Sequence, residues 1–151
     1  MGIAFRVAEL ADVATLLRFH VALNEYDGTV ADPVRARAGL EILLGQENLG
    51  GVWLICADET PVGYIVLTWG FSLEFGGRDA FVDELYIEAG YRGQGVGRQT
   101  LAFAESVCQA RDIQALHLEV ARENVNAQAV YERVGFEKRA GYFLMSKRLR
   151  P

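Results

Sequence analysis

The chain has 151 residues, of which 51% are hydrophobic and 23% charged, and its formal net charge at pH 7 is −5. This length fits one domain over residues 1–151 and suffices for a substantial buried core. The acidic balance, with a pI of about 5.1, argues against a nucleic-acid partner, because such a partner requires a basic face.

The sequence also lacks the signatures of several other protein classes. No apolar run approaches the roughly 18 residues that span a membrane, and the N-terminus has no apolar segment typical of a signal peptide. We therefore expect a cytoplasmic protein without a membrane partner. Cys56 and Cys108 do not form a disulfide framework. The isolated His20 and His117 match no metal-ligand spacing, so no metal site is expected.

Hydrophobic periodicity divides the chain into helices and strands. Asp32 followed by Pro33 is a good helix start, because it places an N-cap residue before proline at the first helical position. Gly76 and Gly77 should turn one long strand into the next as a hairpin. The predicted strands are 3–7, 52–57, 62–75, 80–87, 115–120, 136–139 and 142–147, and the predicted helices are 12–24, 33 to about 45, 97–110 and 126–134.

A strand over residues 81–87 leads into a glycine-rich turn that contains Arg92, Gly95 and Gly97 and opens a helix. Glycine lets the backbone approach a ligand, and the first helical turn offers N–H groups without partners. Together with the helix dipole these groups form a site for phosphate, so the turn predicts a phosphorylated cofactor.

Two other kinds of phosphate loop fit this turn poorly. A Walker loop ends in Gly-Lys-Ser/Thr, which is missing here. A dinucleotide fingerprint needs a small residue where Arg98 stands, although Glu119 lies at about the right distance for its strand-terminal acid. Too few residues follow Gly97 for the remaining strands of a doubly wound sheet.

Two motifs, one after the other along the chain, resemble the signature motifs of the GNAT superfamily of acyl-CoA-dependent N-acyltransferases. The first is R/Q-x-x-G-x-G/A at residues 92–97, and the second is N-x-x-A-x-x-x-Y-x-x-x-G-F, complete at every position from Asn124 to Phe136. The resemblance is strong from Phe81 to Phe136 and only general before it. It implies acetyl-CoA as the cofactor, released as CoA. It also implies an α/β (α+β) fold, with a central mixed, mostly antiparallel sheet of six to seven strands, splayed middle strands and helices on both faces.

The resemblance assigns cofactor contacts to particular residues. The backbone of Leu85, Tyr86 and Ile87 would pair with the pantetheine arm, as a peptide-like segment adds to a sheet edge. Asn124 would either bond that arm or cap the following helix. The residues that would bind the pyrophosphate are Arg92, Gly93, Gln94, Gly95, Val96, Gly97 and Arg98.

Tyr131 corresponds to the tyrosine that protonates the departing CoA thiolate in this superfamily. It also lies in an apolar stripe at helical spacing, with Ala127, Val130 and Val134, which is typical of a core residue. The two interpretations are compatible, because a buried ring can present its hydroxyl to a site.

Three acids compete as the base that takes a proton from the acceptor amine. Glu119 matches the base of members that acetylate ribosomal-protein N-termini. Asp83 matches the base of polyamine-acetylating members, with Asp in place of their Glu. Glu84 lies beside Asp83, and strand alternation predicts that these two point to opposite faces, so that only one reaches the acceptor. The order of preference from the sequence is Glu119, Glu84 and then Asp83.

The sequence thus predicts an N-acetyltransferase that transfers the acetyl group of acetyl-CoA to a primary amine of a small molecule or peptide. Direct attack in a ternary complex is expected, since no Cys or Ser nucleophile is evident. Two alternatives stay open: an acyl-CoA-binding domain without turnover, and an acetyltransferase of protein N-termini or lysines. The acceptor and the oligomeric state, including a homodimer, are left open as well.

Overall fold

The computed structural model describes residues 2–150. Five strands and four helices follow in the order βααβββαβα. The strands are β1 (Ile3–Val7), β2 (Gly50–Ala57), β3 (Thr60–Ser72), β4 (Gly77–Ile87) and β5 (Ala115–His117). The helices are α1 (Val13–Asp27), α2 (Pro33–Leu44), α3 (Val96–Ala110) and α4 (Val125–Arg133).

The described chain forms two compact units, one up to Glu119 and one from Val120 onward. The first contains all five strands and helices α1 to α3, and the second contains α4. That residues 1–151 act as one domain therefore stays a prediction.

The strands of the first unit form one sheet in the order β1-β2-β3-β4-β5. The first three pairings are antiparallel, and the last, between β4 and β5, is parallel. The predicted mixed, mostly antiparallel sheet is confirmed. Pairing between β4 and β5 covers only three residues on each strand and ends at Phe81 opposite His117. β5 ends at this point, and β4 continues to Ile87 with no further pairing on this side among residues 2–150.

Helices cover both faces of this sheet, because β2 alternates between two cores. Leu54 packs in a cluster with Leu16 and Phe19 of α1, and the side chains of α2 pack against the same cluster. Ile55 points the other way, into a cluster with Val96 of α3. Leu54 and Ile55 are both fully buried, and each such side chain stabilises the fold by about 1.5–3 kcal/mol.

Local capping explains the bounds of the helices before β2. The Asp32 carboxylate accepts a bond from the Arg35 N–H at 3.1 Å, with Pro33 opening α2. Helix α1 ends at Gly28, whose φ of 74° lies in the left-handed region that favours glycine. The predicted start and end of α2 are confirmed.

Three predictions about the strands need correction. The sheet has five strands in the described residues instead of six to seven, because residues 136–139 and 142–147 form no strand. Tyr142 and Met145 are exposed. Residue types that favour β-structure form a strand only where a neighbouring strand can bond their backbone N–H and C=O groups. The predicted strand 115–120 ends at His117, where its pairing with β4 ends. The predicted strand 62–75 ends at Ser72, and the turn takes up Phe75.

No helix among residues 2–150 is both long and apolar enough to cross a membrane.

Candidate active site

A β-bulge at Asp83 interrupts the alternation of β4. Val82 pairs with Leu67 and Glu84 pairs with Val66, so two neighbouring residues of β3 face three residues of β4. Asp83 is the extra residue. Bulges of this kind occur frequently beside active sites, where they redirect side chains.

The bulge changes which residues of β4 face each helix layer. Before it, Ala80 and Val82 pack on the face covered by α3. After it, Leu85 packs on that same face, whereas Tyr86 packs with α1. The expectation that Asp83 and Glu84 point to opposite faces assumed unbroken alternation, and the bulge removes that assumption.

Glu84 lies beneath α1 and is held by two side chains. Its Oε1 accepts the Tyr64 hydroxyl at 2.5 Å and lies 2.9 Å from His20 Nδ1. Desolvation, followed by the charge of Glu84, raises the pKa of Tyr64 far above its ordinary value. The Tyr64 hydroxyl therefore keeps its proton and remains a donor.

Asp83 and Glu119 lie in the same electrostatic environment as Glu84. Both are exposed, yet the surrounding protein partly desolvates Asp83 and raises the pKa of its carboxyl. The negative charges of Glu84 and Glu119 raise that pKa further, and His20 opposes them. Glu84 and Glu119 thus both act on the carboxyl of Asp83. A positively charged group such as an ammonium would be attracted to these three acids.

The glycine-rich turn follows β4 directly and opens α3 as predicted. Gly93 and Gly95 have φ values of 73° and 83°, a backbone region that disfavours other residues. Gly95 is the N-cap of α3 and provides no side-chain hydrogen bond, so the first-turn N–H groups of Val96, Gly97 and Arg98 are available to a ligand. This geometry suits a phosphate group.

Arg92 connects the turn to β4 and α1. Its Nε donates to the Ile87 carbonyl at 2.7 Å. Its guanidinium lies over two aromatic rings, 4.5 Å from the centre of Tyr26 and 5.4 Å from that of Tyr86. Gln94 donates to the Gly90 carbonyl at 2.8 Å. These contacts fix the first half of the turn without using the N–H groups of α3.

Leu85, Tyr86 and Ile87 lie beyond the part of β4 that pairs with β5. They pair with β3 on one side, and no strand among residues 2–150 pairs with them on the other. All three are half-buried. This edge of β4 can therefore accept an extended, amide-containing chain.

The second unit carries the other two predicted site residues. Asn124 accepts a bond from the Ala127 N–H at 3.1 Å and is the N-cap of α4, which confirms the capping prediction. Tyr131 lies on α4, half-buried, with its ring 6.0 Å from that of Phe136 in an edge-on arrangement.

The sequence interpretation missed the two histidine–carboxylate pairs of the first unit. His20 contacts Glu84, and His117 Nε2 lies 3.1 Å from Asp79 Oδ2. The sequence did indicate that His20 has a partner. It lies on the apolar face of the predicted first helix, and a polar group on a buried face requires a hydrogen-bond partner. The partner itself could not be named, since it lies 64 positions away.

The sequence model of the acetyltransferase (GNAT) family matches residues 18–136. An uncharacterized N-acetyltransferase of Methanocaldococcus jannaschii is 27% identical over 111 residues, which are 64% of this chain, and the match spans about half (49%) of that relative's length.

Solved structures share the fold. An integron cassette protein from the mobile metagenome of Cole Harbour Salt Marsh has a TM-score of 0.84 and 35% identity, over 97% of this chain and 91% of its own. A predicted acetyltransferase from Clostridium acetobutylicum, solved with acetyl-CoA, has a TM-score of 0.81 and 16% identity, over 96% of both chains. At 16% identity this second likeness concerns the fold alone.

Proposed function

Because the chain belongs to the acetyltransferase (GNAT) family, whose members are acetyl-CoA-dependent acyltransferases, we propose that it transfers the acetyl group of acetyl-CoA to a primary amine of a small molecule or a peptide. One observation carries the proposal. Two carboxylates, Asp83 and Glu84, an open strand edge and a glycine-rich turn suited to a phosphate follow one another along β4 and its continuation.

Acetyl-CoA fits the order of these features. Its pyrophosphate would lie against the first-turn N–H groups of α3, where Gly93 and Gly95 provide the required backbone conformation. Its pantetheine arm carries amide groups that can pair with the open edge of β4 at Leu85, Tyr86 and Ile87. The thioester at the end of the arm would then lie toward the bulge at Asp83.

The carboxylates supply what an amine acceptor requires. A primary amine arrives mostly as an ammonium at neutral pH, and Asp83, Glu84 and Glu119 attract that charge. Glu84 is the preferred proton acceptor, because two neighbours hold one of its oxygens and the other has no partner among residues 2–150. Glu119 is exposed and has no such support, so the preference drawn from the sequence is reversed.

Direct attack follows once the amine has lost its proton. The nitrogen lone pair adds to the thioester carbon, the C–S bond breaks to release the CoA thiolate, and the nitrogen loses its second proton as the amide forms, which balances the proton that the thiolate gains. The family resemblance gives the protonation of this thiolate to Tyr131. The carboxylates lower the cost of removing the first proton, and a positioned acid lowers the cost of expelling the thiolate.

A panel of amines tests the proposal. Wild-type protein is incubated with acetyl-CoA and, one at a time, polyamines, amino acids, aminoglycosides and peptides with free N-termini or lysines, and thiol release is followed against a control without amine. We expect at least one amine to accelerate thiol release and to gain an acetyl group. Binding of acetyl-CoA without acceleration by any amine would favour a binding domain without turnover.

A further inference from the structure

Glu84 is held through one oxygen and offers the other. Tyr64 and His20 both contact Oε1. No group among residues 2–150 makes a hydrogen bond to Oε2, whereas Oε1 takes both contacts, and 24% of the Glu84 side chain is exposed. Oε2 is therefore the atom that a ligand can reach.

Asn24 determines the tautomer of His20. The Asn24 amide has one end 2.9 Å from the His20 backbone oxygen and the other 2.7 Å from the Thr29 hydroxyl. A carbonyl oxygen only accepts, so the atom that faces it must be the NH₂ nitrogen. The same nitrogen lies 3.3 Å from His20 Nε2. Nε2 therefore carries a lone pair, and the ring proton lies on Nδ1.

The proton on Nδ1 points at Glu84. A neutral imidazole with this tautomer donates to Oε1 and needs no charge of its own. Together with the Tyr64 hydroxyl it gives Oε1 two donors, which fix the orientation of the carboxylate. His20 itself is well covered, with 18% of its side chain exposed, so it contacts the carboxylate and leaves the acceptor side to Glu84.

We propose that His20 is a positioning residue for amine acetylation, an inference that rests on the proposed function. It holds Glu84 Oε1 in place so that Oε2 receives the proton of the acceptor ammonium. In that step an N–H bond breaks, its electron pair stays on nitrogen, and an O–H bond forms at Oε2. The freed pair then attacks the thioester. Without His20 the carboxylate gains rotational freedom, and the geometry of proton transfer is lost.

Three variants test the positioning role in kinetics. His20→Leu removes the donor, and His20→Asn keeps an N–H at the place of Nδ1. His117→Leu is the matched control, because it breaks a histidine–carboxylate contact of similar burial elsewhere on the sheet. We expect His20→Leu to lower kcat about 10- to 100-fold, with the acetyl-CoA Kd unchanged, and His20→Asn to recover most of the loss. His117→Leu should keep kcat near the wild-type value.

Nitrogen NMR tests the tautomer without any acceptor. Long-range proton–nitrogen correlations of the wild-type protein should show His20 protonated on Nδ1 and unprotonated on Nε2.

The results separate the two proposals. A His20→Leu variant with wild-type kcat, or a wild-type spectrum with the proton on Nε2 alone, would overturn the role of His20. Equal losses in His20→Leu and His117→Leu would also overturn it, since they would indicate general damage to the fold. If the wild-type protein acetylates no amine, the proposed function fails, and the spectrum still decides how His20 holds Glu84.

Discussion

At the scale of single residues, Asp83 is the acid that the fold disfavours in its charged form. Partial desolvation and the charges of Glu84 and Glu119 raise its pKa. The ionised carboxyl therefore begins to destabilise the folded state when the pH exceeds about 3.9, the pKa of Asp in the unfolded chain. The loss of stability reaches its full size above the raised pKa of the folded state. Asp83→Asn should raise Tm at pH 7 by a few degrees at most, because solvent screens an exposed group.

The sign of this effect can be checked by melting both proteins across pH. The difference in Tm between Asp83→Asn and wild type should vanish below about pH 4, where the wild-type carboxyl is protonated in both states. Glu47→Gln, at an exposed site, serves as the control for removing one surface charge. A loss of Tm at pH 7 in Asp83→Asn alone would mean that the carboxylate makes a stabilising contact.

Tyr131 is tested by removing only its hydroxyl. Tyr131→Phe keeps the ring, its edge-on contact with Phe136 and the helix, so the fold and the acetyl-CoA Kd should change little. If the hydroxyl protonates the CoA thiolate, kcat should fall by about 10²–10⁴ and the high-pH limb of the rate profile should change. An unchanged kcat, under conditions where chemistry limits the rate, would return Tyr131 to a packing role.

At the scale of elements, the turn before α3 combines a backbone requirement with a ligand requirement. Gly95 has a φ of 83°, and alanine in that region costs about 1 kcal/mol or more. Gly95→Ala should therefore lower Tm and also weaken acetyl-CoA binding, because the first-turn N–H groups lose their alignment. Gly90→Ala is the control, since Gly90 lies in the preceding 3₁₀ turn (Ala89–Tyr91) without a positive φ and has open space around it.

Thermal shifts with and without acetyl-CoA distinguish the two effects. Wild type and Gly90→Ala should gain about 2.7 kcal/mol of stability at a ligand concentration of 100 times Kd. Gly95→Ala should gain less at the same concentration, in addition to its lower starting Tm. An equal gain in Gly95→Ala would show that the turn does not bind the cofactor.

Elements whose ends are coded locally were predictable from the sequence. Asp32, Pro33 and Gly45 lie within the segment they delimit, so the start and end of α2 followed from capping chemistry alone. The glycine-rich turn before α3 followed in the same way, because its glycines and the helix after it are neighbours in the chain. That this turn binds a phosphate stays a prediction.

Features that depend on distant partners were not predictable. The bulge at Asp83 is a shift in the register between β3 and β4, two strands that pair across the sheet, and no local pattern marks the extra residue. The His20–Glu84 pair joins two elements far apart in sequence. The strands predicted over residues 136–139 and 142–147 are wrong for a related reason. Their residue types suit a strand, but a strand also needs a neighbouring strand to bond its backbone.

At the scale of the whole molecule, the arrangement favours transfer without an acetylated enzyme. Both cysteines are buried, and burial raises the pKa of the Cys108 thiol, which makes its thiolate scarce. The glycine-rich turn, the open edge of β4 and Glu84 belong to one continuous segment, so that a cofactor and an acceptor would have room to occupy the protein together. The acetyl group would then pass from sulfur to nitrogen in one complex.

Mass spectrometry of a single reaction mixture tests this claim most directly. The protein is mixed with acetyl-CoA, first alone and then with the best amine of the panel, and the masses of protein, amine and CoA are followed together. We predict an unmodified protein in both cases and, with the amine present, one CoA released for each acetylated amine. An acetylated protein that loses its acetyl group when the amine is added would contradict direct attack, and CoA release without an acetylated amine would contradict amine acetylation itself.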